Sequence, residues 1–235
     1  MLIKKYEPKD INEFLIDKIE LLKLRRLVAE RKQIILHGPS GIGKTSLVYA
    51  LAKDMDYGIL ELNSSDKRSK NAIEEILVPG IKEGSLFGKG RLILIDDIDA
   101  LSGNDDRGAI TTLVNLIYES KWPIIITTSH VNDDKLSSLR KKCALIAFND
   151  VNTRKIFNIL KNICEKENIL YKPEDLEDIA IKAKYDIRSA INDIESSTIN
   201  KRLELVNFGE REREISAIQA VYNVLKKRKI SDVID

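Results

Sequence analysis

The sequence is poor in cysteine, in aromatic residues and in charge of one sign. Only Cys143 and Cys164 stand in 235 residues, with no CxxC pair. That argues against a disulfide framework or a thiolate zinc site and for a reducing interior. His37 and His130 have no partner at metal-ligand spacing and read as structural. Lysine and arginine number 39 against 37 aspartates and glutamates, a net charge of +2. Any contact with nucleic acid must therefore rest on a local patch rather than a global field. No apolar run approaches the roughly 18 residues of a membrane span. The opening MLIKKYEPKD lacks the apolar core of a signal peptide. The expectation is a cytoplasmic protein with no membrane partner. Internal repeats and low-complexity tracts are also absent.

What is present is 43% apolar and 32% charged residues, a balance that suits a folded chain with a sizeable core. Short apolar runs occur at Gln33–Leu36, Ile59–Leu62, Leu92–Ile95, Ile124–Ile126 and Ala144–Phe148. Helix-length amphipathic segments separate them, at Lys44–Asp54, Ser69–Leu77, Arg107–Ser120 and Asp133–Lys141. Strands of this length alternating with helices predict an α/β fold, a parallel sheet with helices on both faces. After Asp150 the pattern changes to helices over Thr153–Lys166, Pro173–Lys184 and Ile187–Ile199. Pro173 stands at a first helical turn. The only later strand signal, Leu203–Asn207, is weak. Arg211–Arg228 has helical spacing. The expected organisation is an α/β domain over 1–150, a small all-helical domain over 151–200 and a further helical segment over 201–235.

The motif that carries chemistry is Gly38-Pro39-Ser40-Gly41-Ile42-Gly43-Lys44-Thr45, which satisfies GxxxxGK[ST] between an apolar strand and an amphipathic helix that continues through Ser46. Its glycines let backbone N–H groups turn inward around phosphate oxygens, and the helix N-terminus adds partial positive charge. Lys44 would reach the β- and γ-phosphates of ATP, and the Thr45 hydroxyl would ligate Mg²⁺. The bland alternative is a glycine-rich turn with a chance Lys-Thr.

The strand Leu92–Ile95 runs into Asp96-Asp97-Ile98-Asp99. Asp96 is the candidate metal contact beside the phosphates, and Asp97 the candidate group to orient an attacking water. An acidic turn without function is the competing reading.

With both motifs in place the chain resembles the AAA+ ATPases, and within them the large-subunit branch of the archaeal replication factor C clamp-loader family. The likeness rests on Lys5-Tyr6-Glu7-Pro8, on Glu61 to Arg68 (ELNSSDKR), on Gly103 to Gly108, on Asp186 to Asn192 (DIRSAIN) and on Gly209 to Glu214. It implies a P-loop AAA+ domain, a helical lid and the first part of a helical collar. It also implies that Tyr6 and Pro8 pack near the adenine, that Ser129 is the polar sensor on the fourth strand, and that Arg188 on a lid helix touches the γ-phosphate. Arg188 could instead be a surface residue paired with Asp193 or Glu195. The resemblance implies loading of a ring-shaped sliding clamp onto primer–template DNA, in a hetero-oligomeric ring with small subunits. Arg68, Lys70 and Arg107 are then candidates for DNA phosphate contacts, and Ile76-Leu77-Val78 with Leu86-Phe87 for the clamp-facing edge.

Four departures from the family pattern matter. Asp97 stands where the family has Glu, one methylene shorter. Ser129 stands where it has Asn, Tyr185 where it has Gly, and Glu7 where it has Arg. Separately, Lys141-Lys142-Cys143 lacks the Ser-Arg-Cys arginine of small subunits, which suits a large subunit at the end of an open ring with no neighbour to serve; a finger displaced to Arg140 is the alternative. Slow or partner-dependent hydrolysis with retained ATP binding is expected. A nucleotide-binding scaffold of weak activity, or another AAA+ ATPase of replication initiation or checkpoint loading, remain the alternatives.

Overall fold

Runs of isoleucine and leucine that are apolar at every position, rather than at alternate ones, belong to strands covered on both faces. In the computed structural model, which describes residues 1–63, 70–82, 90–102, 108–149 and 151–204, they form β1 (Gln33–His37), β2 (Gly58–Asn63), β3 (Arg91–Asp96), β4 (Ile124–Thr128) and β5 (Ala144–Ala147). All pairings are parallel, in the order β2-β3-β4-β1-β5. Register is set by pairs such as Ile35 with Ile126 and Ile93 with Ile124. Ile34 to Leu36, Leu92 to Ile95 and Ile124 to Ile126 are buried throughout. This order places the C-terminal ends of β1, β3 and β4 side by side, so His37, Asp96 and Thr128 open onto one edge.

Helix α3 (Lys44–Asp54) follows β1, and Leu47, Val48, Leu51 and Ala52 bury its inner face. Helices α4 (Lys70–Lys82), α5 (Ala109–Glu119) and the short α6 (Ser137–Arg140) follow β2, β3 and β4 respectively. The sequence places the end of α4 at Leu77, two residues before Pro79, where a proline normally stops a helix. The helix instead continues through Pro79 to Lys82. Burial of Leu77 and Ile81 in the same core cluster holds that last turn.

Helix α1 (Leu2–Lys5) and helix α2 (Lys18–Ala29) have no counterpart among the segments read from sequence. For α2 the signal was present. Asp17 caps it by accepting from the N–H groups of Ile19 and Glu20, and Leu21, Leu24 and Val28 repeat at helical spacing on its buried face.

Beyond residue 150, α7 (Thr153–Glu167) starts at an Asn152 cap and ends at Asn168 in the left-handed conformation. Helix α8 (Pro173–Lys182) carries proline in its first turn. Helix α9 (Ile187–Ser197) starts at an Asp186 cap. It stops two residues short of the expected Ile199, because Thr198–Ile199 (β6) pairs antiparallel with Arg202–Leu203 (β7). The weak strand signal at Leu203 is the second arm of this ribbon, begun one residue earlier. Leu170, after α7, bridges to Arg202 and ties the ribbon to the helices. Both cysteines are buried, Cys143 beside the sheet core and Cys164 in α7. Burial pushes their thiols up to about 12 and about 11, where thiolate chemistry is suppressed.

The packing of α2 can be tested by contrast along one helix. Leu24 is fully buried and Leu22 is 66% exposed. Leu24→Ala should cost about 2–5 kcal/mol in urea unfolding, and Leu22→Ala no more than about 0.5 kcal/mol.

Candidate functional site

The loop after β1 must turn sharply to enter α3, and two residues adopt backbone conformations that favour glycine. Gly41 has φ +66° and Gly43, the cap of α3, has φ +103°. Gly38 meets a different constraint. A Cβ there would lie 2.2 Å from the Phe148 carbonyl oxygen, so the loop lies directly against the segment that leaves β5. The turn wraps Lys44 tightly. Its ammonium donates to the carbonyls of Gly38 at 2.8 Å and Pro39 at 2.9 Å, and lies 3.3 Å from Ser129 Oγ. Burial holds the Lys44 pKa below its usual value. The carboxylates of Asp99, Asp96 and Asp97 partly offset this, and the Arg188 charge adds to it.

The next residue joins the loop to the acidic strand end. Thr45 Oγ1 donates to Asp96 Oδ1 at 2.8 Å, and Thr127 Oγ1 donates to the same oxygen at 2.6 Å. Thr127 also accepts the Asp97 N–H at 2.8 Å. Asp97 itself sits at φ +53°, a left-handed conformation that aspartate enters more readily than bulky residues. The chain leaves β3 at that residue, and both carboxylates still act on the Lys44 charge.

Asp99, to which the sequence pattern assigns no role, organises the end of β4. Its two carboxylate oxygens accept from Thr128 Oγ1 at 2.5 Å and from the Ser129 N–H at 2.6 Å. Ser129 is thereby fixed beside Lys44. The available signal was the third acid of Asp96-Asp97-Ile98-Asp99, one turn beyond the strand.

The helices beyond residue 150 reach the same loop. Asp186 caps α9 through the Ser189 N–H at 2.7 Å, and the Arg188 N–H donates to the Gly41 carbonyl at 3.1 Å. A Cβ on Gly41 would stand 1.8 Å from Asp186 Oδ1. The Arg188 side chain is exposed and lines a cleft of ≈ 870 Å³ between the loop and the helices. The alternative pairing of Arg188 with Glu195 is not formed, since Glu195 instead holds the N-terminal amine at 3.2 Å and the Leu2 N–H at 3.1 Å.

Tyr6, Glu7 and Pro8 line the same cleft, with Gly41, Ile42, Gly43, Ser46 and Arg188. Tyr6 Oη donates to Glu167 Oε1 at 2.5 Å, and Lys5 pairs with that oxygen. The Glu167 bond pushes the Tyr6 hydroxyl up to about 12. Ser46 Oγ donates to Glu7 Oε1 at 2.6 Å. No charge count or motif spacing signals that last contact.

Of the DNA candidates, Lys70 opens α4, while Arg68 and Arg107 lie outside the described residues, as do Leu86, Phe87 and the stretch 209–214. Arg140 donates to the backbone carbonyls of Val131 at 2.5 Å and Asp133 at 2.9 Å, so its guanidinium closes its own loop. Tyr185 has φ +77° and Lys184 φ +45°. The glycine of the resembling family therefore corresponds here to a turn that still needs left-handed backbone. No described helix is long and apolar enough to cross a membrane.

A glycine-rich turn feeding a helix, with a lysine, a threonine and strand-end aspartates gathered at the C-terminal edge of a parallel sheet, defines a P-loop nucleotide-binding protein. The chain belongs to the AAA family, the ATPase family associated with various cellular activities, whose sequence pattern matches residues 34–151. Residues 158–199 match the RCF1/5-like AAA+ ATPase lid domain.

Among curated proteins, the replication factor C large subunit of Nanoarchaeum equitans is 38% identical over 245 residues, 99% of this chain and 56% of that protein. Those of Thermofilum pendens and Methanococcus maripaludis are 38% and 35% identical, over 83% and 95% of this chain and 48% of each relative. The chain thus spans about half the length of the curated relatives it matches. Among solved structures, Thermotoga maritima RuvB superposes with a TM-score of 0.58 at 18% identity, covering 81% of this chain and 66% of that one, a likeness of fold.

The seating of α9 on the loop predicts that Gly41→Ala loses about 1–3 kcal/mol, from left-handed strain together with displacement of Asp186. Chemical denaturation would measure it. A variant as stable as the parent would show that Asp186 does not rest on Gly41.

Proposed function

We propose that the chain is the ATP-binding part of a sliding-clamp-loader large subunit, which binds ATP with Mg²⁺ and, in a ring with small subunits, uses that binding to load the clamp onto primer–template DNA. The observation that carries the nucleotide reading is the Thr45–Asp96 contact at 2.8 Å. It sets a hydroxyl and a carboxylate, both hard oxygen donors, beside the phosphate loop. That donor set fits Mg²⁺, which takes one or two protein oxygens with the remainder from water and phosphate. When bound, the metal neutralises charge that develops on the phosphates. Identity of 35–38% to replication factor C large subunits over most of the chain supports the assignment to clamp loading.

The chain's own groups would divide the work. Lys44 would exchange its loop carbonyls for β- and γ-phosphate oxygens. Ser129, held by Asp99, would bond a phosphate or the attacking water, and Asp97 would orient that water. Arg188 would reach the γ-phosphate from α9 and tie lid position to nucleotide state. We read residues 1–150 as the nucleotide-binding domain, 151–200 as the lid and 201–235 as the start of a collar, in a cytoplasmic protein.

A second reading, a scaffold that binds ATP but turns it over weakly, is favoured by the two short side chains Asp97 and Ser129. The two are separable. Calorimetry on the chain with its ring partners should show Mg²⁺–ATP uptake beyond that of the partners alone, and Lys44→Ala should abolish that excess; an excess that survives the substitution would refute the nucleotide site. Mixing the chain with small subunits, clamp and primed DNA should raise ATP turnover above that of the small subunits alone. If Asp97 is the limiting group, Asp97→Glu raises turnover further, and an unchanged rate would dismiss that explanation.

A further inference from the structure

Glu7 occupies a position with no evident structural need for an acid. It lies in the N-terminal segment, which is anchored to the lid helices on one side. The N-terminal amine and the Leu2 N–H bind Glu195 of α9. Lys5 and Tyr6 bind Glu167 at the end of α7, and the Lys166 ammonium lies 5.8 Å from the Tyr6 ring centre. On the other side, Ser46 Oγ of α3 donates to Glu7 Oε1. With Tyr6 fixed from the lid and Ser46 fixed in α3, the Glu7 carboxylate is held in place at the wall of the cleft. Its capacity is largely unused. An ionised carboxylate offers about four acceptor positions, and the Ser46 hydroxyl is its sole hydrogen-bond donor among the described residues.

The direction in which a nucleotide must lie follows from the loop. Its terminal phosphates belong with Lys44 and with the Thr45–Asp96 pair. The sugar and base then leave on the opposite side, past Ser46 and into the cleft walled by Ile42, Gly43, Tyr6, Glu7 and Pro8. The first part of the ligand to pass Ser46 after the phosphates is the ribose. Its hydroxyls are neutral donors, and an acceptor-only carboxylate matches them. Phosphate oxygens, in contrast, would be repelled.

From this geometry we infer that Glu7 is a specificity residue whose carboxylate accepts a ribose hydroxyl, so that the site selects ribonucleoside over deoxyribonucleoside triphosphates. The inference rests on the nucleotide-binding reading above and narrows its ligand class. A hydrogen bond to a charged group sets the expected scale at about tenfold or more in affinity.

The test is a cycle between side chain and ligand. Binding of ATP, 2′-deoxy-ATP and 3′-deoxy-ATP, each with Mg²⁺, is measured by calorimetry on the full chain with its ring partners, as the uptake beyond that of the partners alone, for the parent and for Glu7→Ala and Glu7→Gln. The parent should prefer ATP over at least one deoxy analogue by about tenfold, and Glu7→Ala should bring that ratio close to one. ITP keeps both hydroxyls but replaces the adenine amino group with a carbonyl, and should bind the parent with the same dependence on Glu7 as ATP. Equal affinity of the parent for ATP and both analogues would overturn the inference. So would a Glu7→Ala effect that is uniform across all ligands, which is charge repulsion alone, or one that vanishes with ITP, which places Glu7 on the base. Absence of ATP binding in the parent would instead refute the nucleotide site itself, a distinct outcome.

Discussion

One carboxylate oxygen joins the parts of the site. Asp96 Oδ1 accepts from Thr45, at the start of α3, and from Thr127, near the end of β4, while Asp96 itself ends β3. Three elements that meet only because the strand order is β2-β3-β4-β1-β5 are thereby pinned at one atom. Asp96 still pairs with Asn63 of β2, but the register of β3 with β4 stops one residue earlier, at Ile95 with Ile126, so on that side the Thr127 hydroxyl continues the link between the two strands. If the register of β3 on β4 slipped by one residue, Thr127 would exchange faces with Thr128. Asp96 would then lose one donor and Asp97 would lose the hydroxyl that accepts its N–H. The sheet register is thus a condition for the chemistry as well as for the core.

A second constraint acts on the helical part. Helix α9 rests on the phosphate loop through backbone, with the Arg188 N–H on the Gly41 carbonyl and the Asp186 cap over the Gly41 Cα. The Arg188 residue is exposed while its backbone N–H stays on the loop. Charge reinforces the geometry. Burial and the Arg188 charge hold the Lys44 pKa down, and the three aspartates raise it. An incoming triphosphate would supply the negative charge that the two cations lack between them. Coupling of lid position to ligand can then arise from electrostatics at one loop, without a long path through the protein.

Much of this was legible in sequence because it rests on local rules. β1, β3 and β4 were found as runs of β-branched residues, and α3 and α7 from their spacing, within a residue or two of their observed limits. The phosphate loop is legible because its glycines answer to backbone conformation, which a motif records. What escaped depends on three-dimensional meetings. Asp99 reaches Ser129 across 30 positions, and Glu7 reaches Ser46 across 39; neither separation has a sequence signature. Helix α2 is a different case. Its cap and apolar repeat were readable, but it precedes the first strand, where the alternation of strands and helices gives no prompt. The extension of α4 past Pro79 shows burial of Ile81 overriding a local stop signal.

The two shortened side chains, Asp97 and Ser129, bear on how such a site tolerates change. A residue that must touch a ligand can be lengthened or shortened if its backbone is placed independently. Ser129 is placed by Asp99 through its own N–H, and its hydroxyl already lies beside Lys44. The shorter arm is therefore aimed by a neighbour rather than by its own rotamer. Asp97 is placed by Thr127 through its N–H, at a left-handed φ of +53°. Both positions take their geometry from backbone contacts that either a long or a short side chain would preserve. A change of side-chain length there alters reach while leaving intact the loop and the Thr45–Asp96 pair on which the proposed binding depends.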